Sequence, residues 1–254
     1  MANDPVKVFI GTSANGEDAK IEMAYEHSIR KNCSREVDII WMRQTNDKTS
    51  FWHGWADKNW STPFSGYRWG IPEACNFEGK AIYTDVDMIN LRDMAELVDL
   101  EIPEGKLCIA RDGNRFGGKE FCVIVYDCAK WKGVVPAVET WKADATAHHQ
   151  FINLFIQNNL VGTLDAKWNS HDGDTDEIYQ LHYTHMATQP WRPAWFTGQV
   201  QEHPRKDLVE IYEKAYDEAI LEGYKLEDYE VDRGVTYGTV SYTHLRAHET
   251  EADL

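Results

Sequence analysis

The 254-residue chain contains no run of roughly 18 consecutive apolar residues, the length a membrane-spanning helix needs, so no transmembrane segment is expected. Its opening, Met1-Ala2-Asn3-Asp4-Pro5, has neither a basic region nor an apolar stretch. It therefore reads as no secretory signal, and a cytoplasmic location follows as the default. Gly-x-Gly-x-x-Gly is missing, which removes the dinucleotide fingerprint. Among five cysteines (Cys33, Cys75, Cys108, Cys122, Cys128) there is no Cys-x-x-Cys, and three lie in apolar, strand-like surroundings. Buried, reduced thiols are expected. Cations are in deficit, 26 Lys and Arg against 42 Asp and Glu, for a net charge of −16. That balance opposes binding to nucleic acid, which runs on phosphate neutralisation. An anionic substrate would need local cations or a metal to offset the field.

What remains is a globular composition, 43% apolar and 27% charged, long enough for a proper core. Val6-Lys7-Val8-Phe9-Ile10 reads as a strand, followed by the small residues Gly11-Thr12-Ser13-Ala14-Asn15-Gly16. Residues 19–30 carry Ile21, Tyr25 and Ile29 at helical spacing, and residues 37–41 form a second strand. This is a βαβ unit whose first loop lets a ligand approach the backbone. Residues 44–66 form a long polar and aromatic insertion with Phe51, Trp52, Trp55 and Trp60. Those rings serve either to stack on a sugar or to pin the loop to the core. Helices are expected at 67–75, with Pro72 near a first turn, at 91–98, at 144–158 with Asp144 as cap, and at 208–221. Further strands are expected at 81–83, 106–110, 121–126 and 178–183; the apolar run at 121–126 should be central and covered on both faces. Alternating strands and helices argue a layered α/β fold.

Tyr83-Thr84-Asp85-Val86-Asp87 places two carboxylates at a strand end, where both can turn toward one point and hold a divalent cation. Asp-x-Asp alone is common and recurs at Asp172-Gly173-Asp174-Thr175-Asp176. That second copy lacks the glycine and the bidentate glutamate of a calcium loop, so it is read as a solvated acidic loop. The first copy gains weight from its partners: Tyr67-Arg68 with Pro72 upstream, Ala166-Lys167-Trp168-Asn169, and Leu181-His182-Tyr183-Thr184-His185-Met186-Ala187-Thr188-Gln189-Pro190-Trp191.

In this order the blocks resemble a GT-A fold glycosyltransferase related to glycosyltransferase family 8, which includes glycogenin and bacterial lipopolysaccharide galactosyl- and glucosyltransferases. The likeness spans residues 6–196. It implies a mixed, mostly parallel central sheet with helices on both faces. It implies that Asp85, Asp87 and His182 hold Mn²⁺, with Mg²⁺ the alternative; mixed oxygen and nitrogen ligands favour the former. It further implies that Gly11, Thr12 and Asn15 border the nucleotide, that Arg68 faces the donor, and that Gln150 lies toward the transferred sugar. The implied reaction moves a hexose from a UDP-sugar to a carbohydrate or other hydroxyl acceptor, with retention.

Four positions depart from the family's pattern. His149 replaces an Asp beside Gln150, His185 replaces a Gly, and Gln189 replaces a phosphate-binding Lys. The Asn-x-Gly of the central strand becomes Glu120-Phe121-Cys122. A charged contact to phosphate contributes about 1.5–3 kcal/mol against about 1 for a neutral one. A non-catalytic nucleotide-sugar or carbohydrate binder therefore stands as the rival reading, with a sugar nucleotidyltransferase behind it. The latter needs a Gly-rich, cationic phosphate loop that residues 11–16 do not supply. The transferase domain is expected at residues 1–204 and a helical extension at 205–239. Residues 240–254 resemble translated sequencing-adaptor read-through, or else a disordered tail. Donor sugar, acceptor and oligomeric state are not legible.

Overall fold

The computed structural model describes residues 4–56, 62, 64–192 and 198–236. Trp60, Pro193 and the stretch 240–254 lie outside the described residues. In chain order the elements are β1 (Val6–Gly11), α1 (Ala19–Asn32), β2 (Val37–Met42), a 3-10 turn Tyr67–Gly70 leading into α2 (Ile71–Ala74), β3 (Lys80–Asp85), β4 (Met88–Asn90), α3 (Met94–Asp99), β5 (Cys108–Asp112), β6 (Lys119–Asp127), α4 (Val138–Trp141), α5 (Ala147–Gln157), β7 (Val161–Leu164), β8 (Ser170–His171), β9 (Gln180–His182) and α6 (Lys206–Leu221).

Six strands form one sheet in the order β2-β1-β3-β6-β5-β7, with β6 antiparallel to both neighbours. The remaining strands share one direction. The sheet is buried on both faces because its strands are apolar on both. Val8 and Ile10, Ile82, Val123 and Val125 point into one core with α1, α3 and α6. Phe9, Tyr83, Ile124 and Tyr126 point into the other with α5 and the rings of the 51–71 region. Alternation at period two thus builds two cores from the same strands. α6 lies along α1, with Leu208, Tyr212 and Ala215 in the first core and Lys31 bonded to Glu218 at 2.6 Å.

A second, three-stranded sheet in the order β4-β9-β8 sits beyond the end of β3. Neither β4 nor β8 is anticipated from the sequence, because each is three residues or fewer. β7 is likewise unannounced. The helix expected to start at Asp144 begins at Ala147 instead. The Asp144 carboxylate accepts from the Thr146 backbone and hydroxyl, closing a turn ahead of the helix rather than capping it. Residues 67–75 divide into the 3-10 turn and one α turn, with Pro72 in that turn. The helix expected at 91–98 starts at Met94, where Asp93 accepts from the Ala95 amide at 2.8 Å. Of the insertion rings described, Trp55 is core, 6% exposed and packed against Trp52, Tyr67 and Trp141, while Phe51 and Trp52 are partly buried against the same cluster.

Gly11 closes β1, where a Cβ would come within 2.7 Å of the Phe64 ring and 3.1 Å of the Tyr83 hydroxyl. Gly11→Ala is expected to destabilise the fold by about 1–3 kcal/mol through this overpacking, read as a lower urea midpoint at unchanged slope.

Candidate active site

β1 and β3 are parallel, and their register ends with Gly11 beside Asp85. The loop after β1 and the first carboxylate therefore meet at one end of the sheet. β4 then pairs antiparallel with β9, setting Met88 opposite His182, and the Tyr183 amide donates to the Asp87 carbonyl at 2.9 Å. That register brings a histidine about 95 residues distant in sequence against Asp87. His182 Nε2 lies 3.2 Å from Asp87 Oδ1. On the other side, β3 and β6 run antiparallel with Thr84 opposite Val123, which carries Cys122 across from Asp85. Ligand atoms of Asp85, Cys122 and His182 all lie within 4.8 Å of one another.

Each group is held by a neighbour. Arg68, buried, donates through Nη2 to Asp85 Oδ1 at 3.3 Å and stacks its guanidinium 4.5 Å from the centre of the Tyr83 ring. The Tyr83 hydroxyl donates to the same oxygen. Burial depresses the Arg68 pKa, but the neighbouring Tyr83 and Asp85 outweigh it and the net shift is upward. Gln189 donates from Nε2 to Asp87 Oδ2 at 3.1 Å and to the Tyr183 carbonyl at 2.9 Å. His182 Nδ1 lies 2.9 Å from Asn169 Oδ1. A carboxamide oxygen can only accept, so Nδ1 carries the hydrogen and Nε2 is the atom turned to Asp87. Burial lowers the His182 pKa, but the Asp87 carboxylate, its hydrogen bond and the Asp85 charge reverse this to a net rise. A neutral imidazole would oppose two acceptors at 3.2 Å; only a proton or a metal cation relieves that. The residues present thus fit a divalent cation. His171 packs edge-on to His182, its own pKa pushed down to about 3 by burial and by His182.

The sequence-derived set is partly assembled. Asp85, Asp87, His182, Arg68 and Gly11 converge. Thr12 is buried and directs its hydroxyl to Glu22 Oε1 at 2.6 Å. Asn15 exchanges hydrogen bonds with the Val235 backbone at 2.9 and 3.1 Å, and Arg233 donates to the Ala14 carbonyl at 2.9 Å. The segment 229–236 is therefore laid against the loop, and the side chains expected to border a nucleotide are turned to partners inside the protein. Gln150 is exposed at the start of α5, its amide bonded to Thr146 and 3.4 Å from Asp144. The residue of α5 that is bonded toward the site is His148, whose Nδ1 accepts from Trp69, next to Arg68, at 2.8 Å. Cys122, Asn169 and Tyr83 are the residues that sequence reasoning missed as site groups. Asn169 was visible only inside the Lys-Trp-Asn block, and Cys122 only as a departure. Lys167 bonds Glu177 at 3.2 Å and Arg111 pairs with Asp174, so the acidic loop at 172–177 is tethered by cations. A surface cleft of about 610 Å³ lies over Phe9, Ile39, Ile40 and Trp52 and includes none of the converging residues.

No family model matches the chain. Protein CDI of Arabidopsis thaliana is 25% identical over 221 residues, covering 75% of this chain and 81% of that protein. Among solved structures, the glycosyltransferase GlyE of Streptococcus pneumoniae superposes with a TM-score of 0.56 at 15% identity, over 92% of this chain and 66% of GlyE. The galactosyltransferase LgtC, solved with donor and acceptor sugar analogues, gives 0.56 at 10% identity, over 84% of this chain and 96% of LgtC. The bifunctional glycosyltransferase WbbM gives 0.56 at 13% identity, and the chain spans about half of its length. The chain has the GT-A fold of these glycosyltransferases. Among the described residues, no helix is long and apolar enough to cross a membrane.

Under the loop, Glu22 is buried beside Arg43 and Thr12, and burial raises its pKa from 4.5 to about 7 against the pull of Arg43. The folded chain keeps this proton to about pH 7, whereas the unfolded chain releases it near 4.5. Raising pH through that window therefore removes stability, by up to about 3 kcal/mol. Urea unfolding at pH 5 and pH 7.5 is expected to show a smaller loss for Glu22→Gln than for the wild type. Equal losses would mean that Glu22 stays ionised throughout.

Proposed function

We propose that the chain is a metal-dependent glycosyltransferase of the family 8 kind, moving a hexose from a UDP-sugar to a carbohydrate or other hydroxyl acceptor, with retention, in the cytoplasm. The observation that carries this reading is the place of His182, within 4.8 Å of Asp85 and with Nε2 turned to Asp87 at 3.2 Å by the Nδ1 bond to Asn169. Mn²⁺ is the proposed ion and Mg²⁺ the alternative. When bound there, such an ion supplies positive charge for the diphosphate that departs with the nucleoside.

The chain's own contribution is positioning. Arg68 and Tyr83 fix Asp85, Gln189 fixes Asp87, and Asn169 fixes His182. Gly11 lets the Phe64 ring and the Tyr83 hydroxyl close on the end of β1 beside Asp85. Gln150, exposed at the start of α5, is the proposed polar contact to the transferred sugar. The likeness to LgtC, whose structure holds donor and acceptor sugar analogues, supports a sugar donor and a sugar acceptor as substrates.

One observation favours a binder without turnover. Gln189, where the resembled pattern has Lys, is uncharged and spends its amide on Asp87 and Tyr183, while Arg68 is committed to Asp85. Release of UDP from UDP-hexoses with Mn²⁺ is the expected outcome. Mn²⁺-dependent UDP binding with no release from any donor would instead establish the binder. For the metal itself, Asp87→Ala is expected to weaken UDP binding in Mn²⁺ by about 1.5–3 kcal/mol, roughly ten- to a hundredfold, by calorimetry. UDP affinity that is indifferent to Mn²⁺ in the wild type would sink the metal assignment.

A further inference from the structure

Cys122 stands at the head of the sheet as a candidate metal-binding group outside the Asp-x-Asp pattern and His182. It stands on β6, one residue from Val123, in the register that faces Asp85. Its side chain is only partly covered, unlike Cys75, Cys108 and Cys128, which are buried. Its sulfur, a carboxylate oxygen of Asp85 and a ring nitrogen of His182 form a triangle with no side longer than 4.8 Å. A tetrahedral ion with a sulfur at about 2.3 Å and nitrogen and oxygen at about 2.0–2.2 Å spans its ligands by about 3.5 Å. The three atoms therefore need to close by only about an ångström.

We propose that Cys122 is a third protein ligand beside Asp85 and His182, and that this site selects thiophilic divalent cations such as Zn²⁺ and Co²⁺ over Mn²⁺ and Mg²⁺. The proposal rests on the metal reading of the same site and changes which ion it takes. Three features beyond proximity support it. The ligands are one sulfur, one imidazole nitrogen and one carboxylate, a set that suits zinc and not a hard cation. The imidazole is already oriented, since its Nδ1 is tied to Asn169. Arg68 and Tyr83 both take Oδ1 of Asp85, and the Cys122 thiol is hydrogen-bonded to the same carboxylate, so an ion entering here takes the place of the thiol proton. Asp87 Oδ1, 3.2 Å from His182 Nε2, is placed to enter as a fourth ligand or to leave that position to a phosphate oxygen. On binding, the sulfur–hydrogen bond breaks, the proton goes to solvent, and the sulfur electron pair forms the metal bond. No redox partner is needed.

The test is a titration of the full-length protein with Co²⁺ as the optical probe, followed by Zn²⁺ X-ray absorption. The expected result is a near-ultraviolet sulfur-to-cobalt charge-transfer band that Zn²⁺ displaces, and a sulfur scatterer at about 2.3 Å from zinc. Cys122→Ser should lose the band. It should also lose Co²⁺ affinity by at least the roughly 10–100-fold that removal of a mere supporting partner costs, with Mn²⁺ affinity little changed. Cobalt bound without the band, or zinc with only nitrogen and oxygen neighbours, overturns the cysteine ligand while leaving a cation at Asp85, Asp87 and His182. A sulfur signal that persists in Cys122→Ser also overturns it and points to the hydrogen-bonded pair Cys75 and Cys128. No binding of Co²⁺, Zn²⁺ or Mn²⁺, with or without UDP, defeats the metal reading as a whole. The wild-type spectra decide the question even if the variant fails to fold.

Discussion

The head of the sheet is governed by one constraint: His182 Nε2 stands 3.2 Å from the Asp87 carboxylate, so a proton or a cation has to lie between them. Two acceptors at that distance repel unless positive charge lies between them. The rest of the site can be understood as what holds them there. The β4–β9 pairing sets the approach, because Met88 and His182 are register partners. Asn169 fixes which nitrogen points inward, and Gln189 steadies the far oxygen of Asp87. None of these partners is a cation, so none of them relieves the repulsion.

The same economy of charge runs through the molecule. Against a net charge of −16, 13 of the 26 Lys and Arg side chains pair with a carboxylate among the described residues. Arg43 is taken by Glu22, Arg68 by Asp85, Arg111 by Asp174, and Lys167 by Glu177. A diphosphate approaching this surface gains little from side chains already paired. On the proposed reading, positive charge for it comes from a bound ion at the head of the sheet rather than from a basic patch.

The main sheet was legible in the sequence because its strands are continuous apolar runs and its first helix keeps a helical stripe. Asp85, Asp87 and His182 were legible as a set only through the order of blocks along the chain, since each alone is unremarkable. The short strands β4 and β8 were not legible: three residues or fewer carry no period, and they exist only because β9 pairs with both. The helix start at Asp144 was misplaced because an aspartate accepting from a residue two further on serves a turn as well as a cap. Cys122 stayed hidden because its relation to Asp85 is a matter of cross-strand register, which residue order does not state. Thr12 and Asn15 were rightly placed in the loop, but nothing local foretold Glu22 below it or Val235 against it, more than 200 residues away.

Gln189 bears on the chemistry in a direction opposite to the first impression. A lysine there would add a positive charge beside Asp87, and with Arg68 it would balance both carboxylates without any ion. With glutamine, two carboxylates stand against one guanidinium, and the cluster keeps one net negative charge. A divalent ion entering that cluster turns it to one net positive charge, or to neutral where Cys122 binds it as a thiolate, and so removes the repulsion of a diphosphate. The ion-free cluster, by contrast, repels a diphosphate. On the proposed reading, glutamine at 189 therefore moves the burden of phosphate recognition from the chain to the ion. It makes the identity of that ion the decisive variable, and it gives the sulfur of Cys122, which sets what kind of ion can sit there, more influence over the site than its single side chain suggests.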